Sequence, residues 1–192
     1  MTLYLPKDAA ALALGADEVA AALTEEAAAR GIELRLVRTG SRGMVWLDPL
    51  LEIERDGVRH GFGPLEVSDV KPLFESGFTD HGKALGPVED IPFFARQTRL
   101  TFARCGVIDP LDLNAYRAHG GLKGLERART MTAADIVAEV TESGLRGRGG
   151  AGFPTGIKWN TVLQAEGPHK YIVCNADEGD SGTFADRMLM EG

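Results

Sequence analysis

Glycines are concentrated in one short stretch of this sequence, and that concentration limits the structures the stretch can form. The chain has 24 glycines in 192 residues, and six of them lie between Gly144 and Gly156. Because glycine has no Cβ and adopts φ > 0 readily, it disfavours the interior of a regular helix or strand. The stretch therefore predicts a loop whose backbone N–H groups can converge on an anion.

The spacing within this loop is ambiguous when it is taken alone. Gly147, Gly149 and Gly152 have the spacing of a dinucleotide-binding fingerprint, but that fingerprint follows a strand, whereas this loop follows a predicted helix. A flexible linker is the alternative interpretation. Cationic and aromatic side chains are interleaved with or follow the glycines, namely Arg146, Arg148, Phe153 and Lys158. A linker does not need them, so a binding loop is favoured.

Two side chains near the end of the loop suit a flat, anionic ligand. The helix predicted over Thr155–Gln164 directs its N-terminal dipole towards the loop, which favours a phosphate there. Lys158 lies about one turn into that helix and could place its ammonium on a phosphate or a ring atom. Phe153 offers an apolar face for a ring to stack on. The alternatives are a solvated helix lysine and a phenylalanine that packs in the core.

A second motif begins with the apolar run Lys170–Asn175, which predicts a strand in which Cys174 is a small buried hydrophobe. Polar residues at its carboxyl end follow the rule that ligands of α/β folds collect there. They are Asn175, Asp177, Glu178 and Asp180, which suit hydroxyl and amide groups. An acidic turn formed for local reasons is the alternative.

Composition excludes several classes of partner. The net charge of −7 would repel nucleic acid and anionic membranes. No apolar run approaches the roughly 20 residues of a membrane-spanning helix, and the N-terminus lacks the pattern of a signal peptide. Cys105 and Cys174, the two cysteines, form neither a disulfide framework nor a metal-binding pair. We therefore expect a cytoplasmic protein without membrane insertion and predict no metal ligands.

The remaining sequence predicts alternating strands and helices. In the first part the expected elements are a strand at Leu3–Leu5, a helix capped by Asp17 that ends at Gly31, a strand at Ile32–Val37, a hairpin of residues 50–61 around Asp56–Gly57, and a helix capped by Ser68. In the second part they are helices over residues 111–119, 122–128, 132–143, 155–164 and 184–191.

Both motifs together resemble a known family. The run SGLRGRGGAGFPTGIKW followed by KYIVCNADEGDSGTF is closely similar to the FMN-dependent, NADH-oxidising flavoprotein subunit of respiratory complex I and its soluble relatives. The run FFARQTRLTFARCGVIDPLDLNAYRAHGG also resembles the preceding segment of the soluble members. The resemblance covers about residues 91–192.

The resemblance implies roles for individual residues in the glycine loop. Gly147, Gly149 and Gly150 resemble the backbone that cradles FMN, and Arg148 between them is a further candidate contact. Phe153 resembles the ring that stacks against NADH.

Further polar positions match the same pattern. Lys158, Asn175, Asp177 and Glu178 resemble polar FMN contacts, and Glu178 is the candidate catalytic residue because a carboxylate at the flavin edge disfavours added negative charge. Asp180 stands where many relatives carry glutamate, so its reach to a nicotinamide-ribose hydroxyl is one methylene shorter. FMN and NAD(H) are the implied cofactors.

The N-terminal part resembles the thioredoxin-like 2Fe–2S domain of the same assemblies. Its four cysteine positions fall here on Lys7, Leu12, Ser41 and Val45, which implies a docking domain without a cluster. The expected fold class is α/β: a thioredoxin-like domain over residues 1–76, a linker over 77–95, and the first half of a Rossmann-like FMN-binding domain over 96–192.

The resemblance implies an electron-transfer subunit that exchanges a hydride between NAD(H) and FMN and passes electrons to or from iron–sulfur centres. The family's 4Fe–4S ligands belong to a later domain and are not in this chain. The beta subunit of an NAD-dependent formate dehydrogenase is the favoured member, with an iron–sulfur and molybdenum catalytic subunit and a small 2Fe–2S thioredoxin-like subunit as partners. The diaphorase subunit of an NAD-reducing hydrogenase, the complex I subunit, and a docking fragment without flavin remain open alternatives.

Overall fold

All the strands of the chain belong to one mixed five-stranded sheet. A computed structural model describes the whole chain, Met1–Gly192. The strands are β1 (Thr2–Pro6), β2 (Arg35–Thr39), β3 (Leu51–Arg55), β4 (Val58–Phe62) and β5 (Ala84–Pro87). Their order is β2-β1-β3-β4-β5; β1 and β2 are parallel, and the other three pairs are antiparallel.

Nine helices complete the chain. They are α1 (Ala9–Ala13), α2 (Ala16–Ala29), α3 (Val67–Glu75), α4 (Pro92–Ala95), α5 (Leu113–Ala118), α6 (Lys123–Ala128), α7 (Ala133–Glu142), α8 (Thr155–Gln164) and α9 (Ala185–Glu191). The chain divides into two compact units. The sheet unit contains Met1–His119 and Ala176–Gly192, and the helical unit contains Gly120–Asn175.

The core of the sheet unit lies between the sheet and helices α2 and α3. Val19, Leu23 and Ala27 are buried along one face of α2, as their helical spacing predicts. Leu3 and Leu5 alternate with more exposed residues along β1, as expected of a strand with one face on the core. A βαβ unit followed by a ββα unit in this order agrees with the thioredoxin-like arrangement that the resemblance implies.

The hairpin of β3 and β4 is confirmed, and its turn explains why it could be predicted. Asp56 and Gly57 have φ of 51° and 76°, the left-handed values that a two-residue hairpin turn of this class requires. Asp and Gly tolerate those values better than most residues, so the turn chemistry is local and visible in the sequence.

Two predicted helix caps are wrong. Gly15, at φ 94°, precedes the first residue of α2, and Asp17 lies inside the first turn, where its carboxylate pairs with Arg38 at 2.8 Å. Glu66 rather than Ser68 is the N-cap of α3, and its N–H donates to Asp69 at 2.7 Å. Each observed N-cap therefore lies two residues before the predicted one, and each helix begins one residue before it.

Residues 77–95, predicted as a linker, contribute to the sheet unit instead. They include β5, which pairs with β4, and the short helix α4. Val88 and Phe94 are buried with Met44 and Leu50 in a second apolar cluster. The abundance of Gly, Pro and Asp suggested a linker, but pairing with a distant strand overrides that local signal.

The predicted strand at Lys170–Asn175 is also wrong for this chain. No strand forms there, and Ile172 is 99% exposed. A strand needs a neighbour to satisfy its N–H and C=O groups, and no other strand pairs with this segment. Cys174 is consequently exposed, not the buried hydrophobe that the strand prediction implied.

Candidate functional site

The glycine loop is an ordered turn closed at its base. Arg146 and Pro154 form an antiparallel bridge, the Gly147 N–H donates to the Phe153 carbonyl at 2.9 Å, and the Thr155 N–H donates to the Leu145 carbonyl at 2.9 Å. These bonds tie together the two ends of the segment that contains the glycines. A flexible linker would not be closed in this way, so the structure favours the binding-loop interpretation.

The middle of the loop presents free backbone donors. The N–H groups of Arg148, Gly149 and Gly150 make no hydrogen bond within the chain, and the added Cβ of an alanine at Gly149 or Gly150 would meet open space. Gly150 adopts φ 106° and Gly152 φ 60°, which L side chains disfavour. Exposed amides on a glycine backbone form the kind of concavity that accepts a phosphate, so the loop fits that part of FMN.

Lys158 and Phe153 lie beside this loop. The Lys158 Nζ is 5.7 Å from the centre of the Phe153 ring, and a Cβ on Gly147 would lie 3.8 Å from the same nitrogen. The Phe153 side chain is 46% exposed, so it is not packed in a core. The structure therefore brings a cation, an accessible aromatic face and a glycine backbone together.

A close helix crossing positions Lys158, and sequence reasoning missed it. Gly156, in the first turn of α8, is buried against α7, and a Cβ there would lie 2.7 Å from the Thr141 Cα. Any larger residue would push the two helices apart. A glycine just inside a predicted helix start was the available signal, because a glycine at such a position commonly marks close backbone approach.

The second motif forms a separate acidic cavity within the sheet unit. Its volume is about 370 Å³, and its lining includes Asp177, Glu178, Asp180 and Arg187. Asp180 Oδ1 accepts a hydrogen bond from the Gly182 N–H at 3.0 Å, so its carboxylate also stabilises its own turn. The acidic-turn alternative thus describes part of what Asp180 does.

Glu178 has a structural role that the sequence did not indicate. Its carboxylate oxygens accept hydrogen bonds from the N–H groups of Asp186 at 2.9 Å and Arg187 at 3.1 Å, in the first turn of α9. Glu178 itself adopts φ 44°, a left-handed value that L residues rarely adopt. Because α9 has no capping side chain of its own at Phe184, Glu178 supplies the cap from outside.

The predicted site residues therefore fall into two groups. Gly147, Arg148, Gly149, Gly150, Phe153, Lys158 and Asn175 belong to the helical unit. Asp177, Glu178 and Asp180 belong to the sheet unit. Within each unit, the loop residues lie together and the acidic residues line one cavity.

Two further observations concern metals and membranes. No three His, Cys, Asp or Glu side chains converge in a way that could hold a metal ion. No helix combines the length and apolar character needed to cross a bilayer.

Comparison with known proteins finds matches to part of the chain. Residues 140–192 match the family described as the Nuo51 FMN-binding domain. The NADP-reducing hydrogenase subunit HndC of Solidesulfovibrio fructosivorans is 53% identical over 97 residues, which are 50% of this chain and 20% of that protein. An NADH-quinone oxidoreductase subunit of Rhizobium meliloti is 56% identical over 80 residues, 41% of this chain and 19% of the relative.

A third relative belongs to the same group. The NAD-reducing hydrogenase HoxS subunit alpha of Cupriavidus necator is 47% identical over 76 residues, 39% of this chain and 13% of that protein. The matched chain thus spans about a fifth or less of the length of these relatives.

A solved crystal structure of an NAD+-reducing [NiFe]-hydrogenase in the air-oxidized state aligns with 98% of this chain and 32% of its own, at 26% identity and a TM-score of 0.34. A TM-score of that size does not establish a shared arrangement. The sequence matches show that residues 140–192 are similar to the FMN-binding domain of NADH-linked flavoprotein subunits.

Proposed function

We propose that this chain is part of an electron-input subunit in which FMN accepts a hydride from NADH, or returns one to NAD⁺, and exchanges electrons with iron–sulfur centres. The observation that carries the proposal is the closed glycine loop with free amides beside Lys158 and Phe153. The family match over the same residues supports the choice of FMN over other anionic ligands.

Each group in the helical unit has a role in holding the flavin. The amides of Arg148, Gly149 and Gly150 bind the phosphate, and the Lys158 ammonium neutralises a phosphate or flavin oxygen with a charge-assisted hydrogen bond. The accessible Phe153 face stacks against the nicotinamide-bearing ligand. Asn175 contacts the flavin through its amide.

The acidic residues of the second motif have proposed roles of their own. When bound, FMN supplies the hydride and single-electron chemistry, while the protein orients the two rings and sets the charge around them. Asp177 and Asp180 accept hydrogen bonds from flavin and ribose hydroxyls. Glu178 disfavours added negative charge near the flavin edge, and the two α9 amides that bind its carboxylate hold it in one orientation.

At a finer level we place the chain in the beta subunit of an NAD-dependent formate dehydrogenase, in the cytoplasm. The expected partners are an iron–sulfur and molybdenum catalytic subunit and a small 2Fe–2S thioredoxin-like subunit. A thioredoxin-like sheet without cluster cysteines, in the same chain as the flavin motifs, supports a soluble dehydrogenase over complex I.

The diaphorase subunit of an NAD-reducing hydrogenase is the second candidate at this level. The names of two relatives, which are hydrogenase subunits, favour it. Purification of the native complex and identification of the metal in its catalytic subunit separate the two, because molybdenum indicates the first and nickel the second.

Flavin binding tests the proposal directly. FMN is titrated into the 192-residue chain by fluorescence quenching, in parallel with Lys158→Ala and with Lys71→Ala, which removes an exposed lysine of α3. We expect saturable quenching that weakens in Lys158→Ala and is unchanged in Lys71→Ala. Anaerobic addition of NADH to the saturated sample should then bleach the flavin absorbance. Absence of FMN from a denaturing extract of the native subunit would favour the docking fragment without flavin.

A further inference from the structure

A cavity of about 360 Å³ in the sheet unit lies outside both proposed flavin-binding motifs. Arg42, Arg99 and Gln97 supply its polar groups, and Glu89 lies at its edge. Its apolar walls are Phe94, Ala95, Ala103 and Val107. Ligand pockets in proteins begin at about 300 Å³, so the cavity suits a small metabolite rather than a nucleotide.

Two guanidinium groups share one aromatic ring in this cavity. The Arg99 Cζ lies 4.6 Å from the Phe94 ring centre, and the Arg42 Cζ lies 5.2 Å from it. Arg99 also donates to the Arg42 carbonyl at 3.1 Å. Burial and the nearby Arg42 charge lower the pKa of Arg99, so this cation is held in an unfavourable place.

Arg99 retains a donor that the chain does not use. Its Nη1 is buried and makes no hydrogen bond. A buried donor without a partner costs on the order of 1–3 kcal/mol, and native structures rarely leave one without a reason. An oxyanion in the cavity would lie beside the Arg99 guanidinium and offset the repulsion between the two arginines.

The remaining charges of the cavity allow such a ligand. Arg42 is paired by two bonds of 2.8 Å with the buried Glu52, which fixes its position and neutralises it. Its Nη1 also donates to Glu89 Oε1 at 3.2 Å, but the Glu89 side chain is 63% exposed and can move into solvent. Glu89 therefore acts as a competing carboxylate at the mouth of the cavity.

We infer that this cavity is a binding site for a small organic anion, either a carboxylate or a phosphomonoester, held by Arg99 and Gln97 with its apolar part against Phe94 and Val107. The site is independent of the proposed flavin function, because none of its residues belongs to either flavin-binding motif.

Inorganic phosphate and acetate serve as probes for the two ligand classes. Each is titrated into the full chain at constant pH and ionic strength, with chloride as the reference, while NMR follows the arginine side-chain N–H signals. We expect saturable shifts of Arg99 and Arg42 signals. A response to phosphate alone assigns the phosphomonoester class, and a response to acetate alone assigns the carboxylate class. Shifts no larger than those in chloride overturn the inference.

Three variants, titrated with the same probe, are expected to differ in their affinity for it. Arg99→Gln should weaken binding by about ten-fold or more, since a charge-assisted donor is lost. Glu89→Gln should tighten binding by about two- to ten-fold, because it removes a competing negative charge at an exposed position. Arg96→Gln, in the same segment but outside the cavity, should bind like the natural chain. An unchanged affinity in both Arg99→Gln and Glu89→Gln would refute the site.

Discussion

The two units of this chain differ in what holds them together. The sheet unit has an apolar core in which Leu3, Leu5, Leu23 and Leu51 are fully buried. In the helical unit, Gly120–Asn175, the buried residues are two glycines, Gly121 and Gly156, and no hydrophobic side chain is buried. Burial of apolar surface is the dominant favourable term in folding, so the sheet unit carries its own stability and the helical unit does not.

The difference shows how a binding loop can be ordered without a core. Bonds between Leu145, Gly147, Phe153 and Thr155 close the glycine loop locally, and the Thr141–Gly156 contact sets the crossing of its flanking helices. Hydrogen bonds of this kind each contribute only about 0.5–1.5 kcal/mol net. We therefore expect the geometry of the loop to depend on apolar faces of the helical unit being covered by further protein.

The largest effect we expect is on the free energy of unfolding, when one leucine in each unit is replaced by alanine. Leu23→Ala, in the buried face of α2, should lower the free energy of unfolding by about 2–5 kcal/mol. Leu125→Ala, in α6 where the side chain is 58% exposed, should change it by no more than about 0.5 kcal/mol. Urea denaturation followed by circular dichroism measures both. Equal losses in the two variants would show that the helical unit has a core after all.

A buried carboxyl makes the stability of the sheet unit depend on pH. Burial, with the nearby Asp8 and Glu52 charges, raises the pKa of Asp48 to about 7, against a hydrogen bond from Leu50 that lowers it. The folded chain therefore binds more protons than the unfolded chain between about pH 4 and pH 7, and stability falls as pH rises through that window.

Asp48→Asn should remove this slope and add up to about 4 kcal/mol to the free energy of unfolding above pH 7, at about 1.4 kcal/mol for each unit of pKa. Urea denaturation midpoints from pH 4 to pH 8 measure how the stability of both proteins depends on pH. Glu166→Gln, an exposed position in the helical unit, is the control and should leave the slope unchanged. A natural chain whose stability rises across this window would contradict the assignment.

The affinity for FMN tests whether the helical unit alone forms a complete binding site. Because Phe153 and the loop amides are open to solvent, the chain alone should bind FMN with an affinity weaker than micromolar. Loss of the charge-assisted bond in Lys158→Ala should cost about 1.5–3 kcal/mol, or about 10- to 100-fold in affinity.

Lys158→Arg should rescue little, since a planar fork does not replace a compact ammonium beside Gly147. Fluorescence titration measures the FMN affinity of the natural chain, Lys158→Ala and Lys158→Arg. Submicromolar binding by the natural chain, or full affinity in Lys158→Ala, would contradict the expectation.

Iron and sulfide should have no effect on the sheet unit, which is the smallest change we expect. The positions that correspond to cluster cysteines are Lys7, Leu12, Ser41 and Val45, and thiolates are the usual ligands of such clusters. Anaerobic incubation with iron and sulfide should leave the unfolding midpoint of the sheet unit unchanged and no stoichiometric iron bound. A cluster spectrum from the purified chain would overturn this prediction.

Local chemistry explains which parts of the fold could be predicted. The β3–β4 hairpin follows from Asp56–Gly57, and α8 has the predicted bounds, Thr155–Gln164, because both depend on neighbouring residues. The glycine loop is local in the same sense, and its closing bonds join residues less than a dozen positions apart.

Long-range pairing explains the rest. The buried Arg42–Glu52 pair and the β4–β5 ladder join residues whose partners no spacing rule identifies. The capping of α9 by Glu178 escaped prediction because its hydrogen bonds reach residues eight and nine positions further along the chain, beyond the spacing of a usual cap. Lys170–Asn175 shows the converse: strand propensity without a neighbouring strand gives no strand.

The exposed segment Lys170–Asn175 also favours self-association of the chain at high concentration. Tyr171, Ile172 and Val173 are consecutive, apolar, β-prone and exposed, with unpaired backbone groups beside them. Such a run is a template for pairing with the same run of another molecule, in the manner of an uncovered sheet edge. Lys170 supplies the one nearby positive charge that opposes this pairing. Self-association of the isolated chain should therefore begin at this segment, and solubility should depend more on covering it than on any residue of the flavin-binding loop.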